Sequence, residues 1–177
     1  MKTIAAILLL LPALSGCAFG RAVFYARSEL IKNASVIAIV DLSEPGKAQH
    51  AVEDWDPFDK REGATGERWA YSQQANARVE RILKGSIPKE FILYGGESFI
   101  CAECRLSKGR FLVFLTKDRD LWVGANWQFS LRPIRDNEVE WYVSEEQRFP
   151  MKFQKLESAI TQIEWALATE IKANKSP

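Results

Sequence analysis

The sequence predicts a mainly β fold: a small barrel of five or six strands, flanked by an N-terminal and a C-terminal helix. Three observations carry that expectation. Between Ser35 and Val143, short apolar or alternating runs are separated by turn residues, the pattern of successive antiparallel strands. A helical spacing precedes these runs, and a longer one follows them. The chain has 177 residues with six Trp, ten Phe and four Tyr. That is enough for one domain whose core needs neither a metal nor a disulfide framework.

The elements follow in order. In residues 21–34, Val23, Ala26, Leu30 and Ala34 recur at spacings of three and four, which predicts a helix. Ser35 to Leu42 (SVIAIVDL) is almost wholly apolar and reads as a buried strand. Ser43 to Gly66 is polar, rich in Gly, Pro, Asp and Glu, and too long for a tight turn, so it reads as an exposed excursion. In Arg68 to Leu83, Ala75, Ala77 and Val79 alternate with Asn76, Arg78 and Glu80, a half-buried strand. Lys84 to Pro88 turns into a strand at Phe91–Tyr94, which Gly95 and Gly96 end. Arg110 to Thr116 (RFLVFLT) is continuously apolar and predicts the central strand. Asp118-Arg119-Asp120 turns into a strand over Leu121–Ser130, and Val139 to Val143 forms a short one. Phe153, Leu156, Ile160, Ile163, Leu167 and Ile171 then predict an amphipathic helix over Lys152–Lys172, whose apolar stripe must dock on the barrel.

The N-terminus carries a processing pattern. Lys2 supplies a positive start, and Ile4 to Leu11 is an apolar stretch too short to span a membrane, which takes about 20 residues. Leu14-Ser15-Gly16-Cys17 follows, and these four residues resemble the lipobox of bacterial lipoproteins. The resemblance implies a diacylglycerol thioether on Cys17 and cleavage before it. It divides the chain into a signal peptide (1–16), a lipidated tether running into the first helix (17–27) and the folded domain (28–174). Ala18, rather than Asp, follows the Cys, which by the same resemblance favours the periplasmic face of the outer membrane in a Gram-negative cell. Two acyl chains give stable anchoring where one gives little. Lys and Arg number 24 against 23 Asp and Glu. With Lys2 removed the balance is zero, which argues against nucleic acid and against a polybasic membrane contact.

Within the domain, Asn33-Ala34-Ser35-Val36-Ile37, Ala77-Arg78-Val79-Glu80-Arg81-Ile82-Leu83-Lys84-Gly85, Tyr94-Gly95-Gly96, Leu106 to Phe114 and Leu131-Arg132-Pro133 occur in an order similar to the motifs of netrin-like domains, the group that includes the tissue inhibitors of metalloproteinases. The resemblance spans about residues 28–135 and implies a five-stranded OB-like barrel with flanking helices. Two departures matter. Bacterial members often place a Cys just before the Leu131 segment, and residues 126–130 contain none. The inhibitors use a free N-terminal Cys on the target zinc, whereas here that terminus is the lipidated Cys17.

Cys101-Ala102-Glu103-Cys104 is the sharpest local feature. In an oxidising compartment a Cys101–Cys104 disulfide is the first reading, though so small a loop gains little stability. A thiol–disulfide redox site is the second, without the helix that normally follows such a pair. A zinc site is the third and lacks ligands, since His50 is the only His. The acidic run around Asp54, Asp56 and Asp59 holds Pro57 and Phe58 where a calcium loop needs Gly. No nucleophile elbow is present. Of the aromatics, Trp55, Phe58 and Trp127 are the candidates to face a ligand, while most others are expected in the core. The expected function is therefore a non-catalytic envelope lipoprotein, without cofactor, that binds an envelope protein or glycan. A redox protein is the alternative, and metalloprotease inhibition ranks below both.

Overall fold

A strand whose residues are apolar on both faces must be covered twice, and two such strands organise this fold. The computed structural model describes residues 22–48, 71–99, 102–145 and 151–173. The elements run α1 (Arg27–Asn33), β1 (Val36–Leu42), β2 (Gly46–Lys47), β3 (Gln73–Lys84), β4 (Glu90–Gly95), β5 (Ser98–Phe99), β6 (Ala102–Glu103), β7 (Gly109–Asp118), β8 (Leu121–Gly124), a 3-10 turn (Trp127–Ser130), β9 (Leu131–Arg135), β10 (Glu138–Tyr142), β11 (Met151–Lys155) and α2 (Leu156–Ala173).

Five strands close a barrel in the order β1-β3-β4-β8-β7 and back to β1. With barrel strands alone counted, the ring runs first, second, third, fifth, fourth, first, the order of an OB-like barrel. The fold class expected from the sequence is thus the observed one. The expectation of a purely antiparallel barrel needs correcting, because β4 and β8 run parallel through Leu93 opposite Trp122 and Tyr94 opposite Val123. A closed ring with an odd number of strands cannot alternate direction throughout, so one pair must be parallel.

β1 and β7 lie side by side from Val36 opposite Leu115 to Leu42 opposite Gly109. Side chains alternate across a strand, so the pair feeds two cores. Val36, Ala38, Val40, Phe111, Val113 and Leu115 fill the barrel with Ala75, Ala77 and Leu93. Ile37, Ile39, Leu112 and Phe114 point outward, onto α1, α2, β9 and β10. Trp141 is fully buried in this outer core and stacks on Phe114 with ring centroids 5.8 Å apart. Its Nε1–H donates to Gln162 Oε1 at 3.0 Å, tying β10 to α2.

β3 curls to close the ring. Its pairing with β1 slips by one residue between Ile37 and Ala38 and again between Ile39 and Val40. Such bulges bend a strand and raise its twist. The alternation of Ala75 and Ala77 with Asn76 and Arg78 is as expected, and beyond the first slip it fails, leaving Ile82 exposed.

Three helix and strand bounds differ from the sequence expectation. α1 starts at Arg27 rather than residue 21, because Asn126 Oδ1 accepts from the Tyr25 N–H and Asn126 Nδ2 donates to the Val23 carbonyl. Those bonds hold 23–25 against the barrel outside the helix. Glu29 then accepts from the Ala26 N–H at 2.8 Å, and Lys84 Nζ donates to the Ile31 and Lys32 carbonyls at the other end, satisfying groups every helix end leaves open. The C-terminal helix starts at Leu156. The five residues before it pair with β10, from Glu138 opposite Lys155 to Tyr142 opposite Met151, and Phe153 is exposed. Leu156, Ile160 and Ile163 do form the buried stripe. The expected strand Leu121–Ser130 stops at Gly124. There the chain folds back so closely that a Cβ on Gly124 would meet Ser130 Cβ at 2.8 Å.

Trp141→Ala removes the largest side chain of the outer core and the partner of Gln162. It is expected to lower unfolding free energy by about 3–5 kcal/mol, measured by urea denaturation.

Candidate functional site

The second and third barrel strands, β3 and β4, carry a groove of about 470 Å3 lined by Asp41, Ser43, Asn76, Arg78, Glu90 and Ile92. The pleat explains its make-up. Ala75 and Ala77 turn into the barrel, so Asn76 and Arg78 turn out. Ser43 Oγ accepts from the Asn76 N–H at 3.0 Å and Asn76 returns its carbonyl to the Ser43 N–H at 2.9 Å, which fixes the end of β1 beside β3. Arg78 and Asp41 form an ion pair at 3.3 Å in which both side chains are exposed. Such a pair contributes little and exchanges readily for a ligand. Phe91 packs edge-on against Trp122 and gives the floor an apolar patch beside the exposed Ile92. The groove therefore offers paired donors and acceptors around apolar surface, a match for a carbohydrate or a polar protein segment.

A second polar cluster is buried at one end of the barrel. Cys104 accepts from the Gly96 N–H at 2.7 Å and donates its own N–H to the Glu97 carbonyl at 3.1 Å. Its side chain is 1% exposed and carries a free thiol. Cys101, the partner expected for it, lies outside the described residues. The Cys104 thiol faces the Glu97 carboxyl. Burial pushes the thiol well above its ordinary value, and the Glu97 charge adds to that. Burial also raises Glu97 to about 7, against opposing hydrogen bonds from the backbone and from Cys104. Its Oε2 has no hydrogen-bond partner, as suits a carboxyl kept neutral. Nearby, the Tyr71 hydroxyl donates to Asp118 Oδ2 at 2.9 Å and is held protonated by burial and then by that bond. A recess of about 340 Å3 nearby is lined by Glu103, Cys104, Arg105, Gln128 and Leu131.

In the outer core, Arg132 is 3% exposed. Its guanidinium lies over the rings of Phe129 and Tyr142 at 4.7 and 5.5 Å, and Glu140 stands 3.8 Å from Nη1. Burial lowers its pKa from the ordinary value. Nε and Nη2 have no hydrogen-bond partner.

Of the residues expected to carry function, Cys17, Trp55, Phe58 and Cys101 lie outside the described residues, as do His50, Asp54, Asp56 and Asp59. Trp127 is half-buried, with φ +46°, a left-handed conformation few side chains adopt. It neighbours Gln128, whose Oε1 accepts from the Glu103 N–H at 3.3 Å. The structure thus brings the Cys104 loop and the Trp127 turn together, which no spacing in the sequence announces. Tyr71 and Trp141 are core residues, as expected for most of the aromatics, and Trp122 packs half-buried against the barrel interior. Two features had no sequence expectation. Glu97 is buried, and Trp165 is 68% exposed on α2. The second was readable in principle, since Trp165 falls two residues after Ile163 and so off the apolar stripe. Among the described residues no group of His, Cys, Asp and Glu is placed to hold a metal, and no helix is long and apolar enough to cross a membrane. Comparison with protein-family models, with curated proteins and with solved structures finds no match to this chain.

The raised Glu97 pKa makes stability depend on pH. The fold prefers the neutral acid, so this group's contribution is fully present below about pH 4.5 and is lost as pH rises toward 7. Urea denaturation from pH 4 to 8 should show the wild type falling across that window relative to Glu97→Gln, by at most on the order of 3 kcal/mol. In the same folded protein, iodoacetamide at pH 8 should leave Cys104 unmodified by mass spectrometry.

Proposed function

We propose that this chain is a bacterial envelope lipoprotein, anchored through Cys17, whose OB-like barrel is a non-catalytic module that binds an envelope glycan or protein. The observation that carries the binding half is the groove of about 470 Å3 across β3 and β4. It lies on the pair of strands that OB-like barrels use for oligonucleotides and oligosaccharides. The balanced charge of the mature chain and the acids that line the groove, Asp41 and Glu90, turn the reading from nucleic acid toward sugar hydroxyls or a polar peptide. The anchoring half rests on the apolar stretch followed by Leu14-Ser15-Gly16-Cys17, and it favours the periplasmic face of the outer membrane.

The redox alternative loses ground on chemistry. A reactive C-x-x-C thiol needs a depressed pKa and access, and Cys104 is buried, with its pKa raised by that burial and by Glu97. Metalloprotease inhibition in the manner of netrin-like relatives needs a free amino-terminal Cys, and lipidation of Cys17 would occupy it.

Cys17→Ala is expected to abolish incorporation of radiolabelled palmitate and leave the unprocessed precursor; equal labelling of the mutant would overturn the anchor. For the groove, Asn76→Ala and Arg78→Ala should each weaken retention of the purified protein on envelope glycan or protein by up to about tenfold, the value of one hydrogen bond. Retention unchanged in both would move the binding surface elsewhere.

A further inference from the structure

α1 and α2 leave an open groove between them of about 450 Å3, with Arg27, Ser28 and Ile31 on one side and Trp165, Ala166 and Thr169 on the other. Arg27 is held at its rim by an ion pair to Glu145, which also accepts from the Ser28 N–H at 2.8 Å. Trp165 stands at the mouth with 68% of its surface exposed. A helix that spends its apolar stripe of Leu156, Ile160 and Ile163 on the core does not need an aromatic off that stripe.

The helix face around Trp165 is unusual in three ways. The residues three and four away, Thr161, Gln162, Ala168 and Thr169, carry no charge. The Thr161 and Thr169 hydroxyls donate at 2.9 Å to the Glu157 and Trp165 carbonyls of the helix itself, so these side chains spend their polarity locally. Two of the three acids of α2, Glu157 and Glu164, are drawn to Arg81 at 3.7 and 2.9 Å. What remains is a weakly polar surface with one indole, the side chain that settles at membrane–water interfaces.

The length of chain outside the structure says what covers it. Cys17 stands five residues before Ala22, the first described residue, and five extended residues reach at most about 18 Å. Residues 23 and 25 are fixed to the barrel by Asn126, and Arg27, five residues beyond Ala22, lines the groove. A lipid on Cys17 therefore keeps this side of the domain close to the bilayer. The gap is narrower than a small folded domain, about 30 Å across, so a protein partner has little room there.

We infer that the α1–α2 groove rests on the lipid surface and seats Trp165 in the headgroup region, so that the domain is docked in one orientation rather than swinging on its tether. This rests on the anchoring of Cys17 proposed above. Docking gives the module a direction. The α1 end of β3 is Lys84, and Arg78 of the candidate binding groove lies up to about 20 Å along the strand from it, at the usual rise per residue.

The test uses the mature chain on vesicles containing lipids brominated near the headgroup, anchored in two ways: by its own lipid, and by an oligohistidine in place of that lipid on nickel-chelating vesicles. Emission of wild type should be partly quenched, by up to roughly one sixth since the chain has six Trp, and Trp165→Phe should lose that quenched component under both anchors. Trp165 is exposed, so the variant folds as the wild type does. Equal quenching of wild type and Trp165→Phe overturns the docking. So does an unquenched Trp165 that becomes protected only when envelope proteins are added, which assigns the groove to a protein. If the cell-derived chain fails to float with vesicles while the oligohistidine form shows the Trp165 component, the Cys17 anchor falls and the affinity of the groove for lipid stands.

Discussion

The shared edge of β1 and β7 is the constraint on which the rest of this structure depends. Each strand sends alternate residues to opposite sides, and in both strands every side from Val36 to Val40 and from Phe111 to Leu115 is buried. A strand covered on one face would leave Ile37, Ile39, Leu112 and Phe114 in water, several apolar side chains each costing about 1.5–3 kcal/mol. The barrel covers one face. The helices, with β9 and β10, have to cover the other. This is why the two helices, far apart in sequence, meet each other and the same strands.

The closure of the barrel follows from a parity argument and a few bulges. Five strands cannot alternate all the way round, so β4 and β8 accept a parallel pairing only two residue pairs long. β3 absorbs the required bend by slipping its register twice against β1. Those slips end the regular alternation of β3 and mark off its first half, where Asn76 and Arg78 face outward beside β4. The candidate binding groove is in that sense a by-product of how the barrel closes.

Polar groups are buried in two places. Cys104 and Glu97 flank the short β5–β6 pair, and Arg132 sits on β9 opposite Leu112 of β7. Each is tied to its neighbours by backbone bonds or by aromatic rings, and each carries an unusual proton affinity because water is excluded. The Cys104 thiol and the Glu97 carboxyl face each other, closed off from solvent. The bond from the Glu103 N–H to Gln128 Oε1 gives the loops around Cys104 and Trp127 a structural reason to lie together.

How much was legible differs by kind of feature. Alternation at Ala75–Glu80, the unbroken run at Phe111–Leu115 and the stripe Leu156, Ile160 and Ile163 are local periodicities, set by side-chain geometry within one element. They were enough to foresee a β barrel between two helices. Phe153 fell into the helical period by coincidence, because main-chain pairing with β10 decides that segment and such pairing leaves no mark in spacing. The same holds for the site. The Leu14–Cys17 resemblance can be read directly, since such a motif is a run of adjacent residues. The free thiol of Cys104, the neutral carboxyl of Glu97, the groove of Asp41, Asn76 and Glu90, and the bareness of Trp165 cannot, because burial and proximity between distant residues exist only once the chain has closed. The sequence by itself determined the periodicities that set the elements; the tertiary structure alone decided which of their side chains meet, and that Trp165 was left facing outward, because contacts between distant residues exist only in the closed chain.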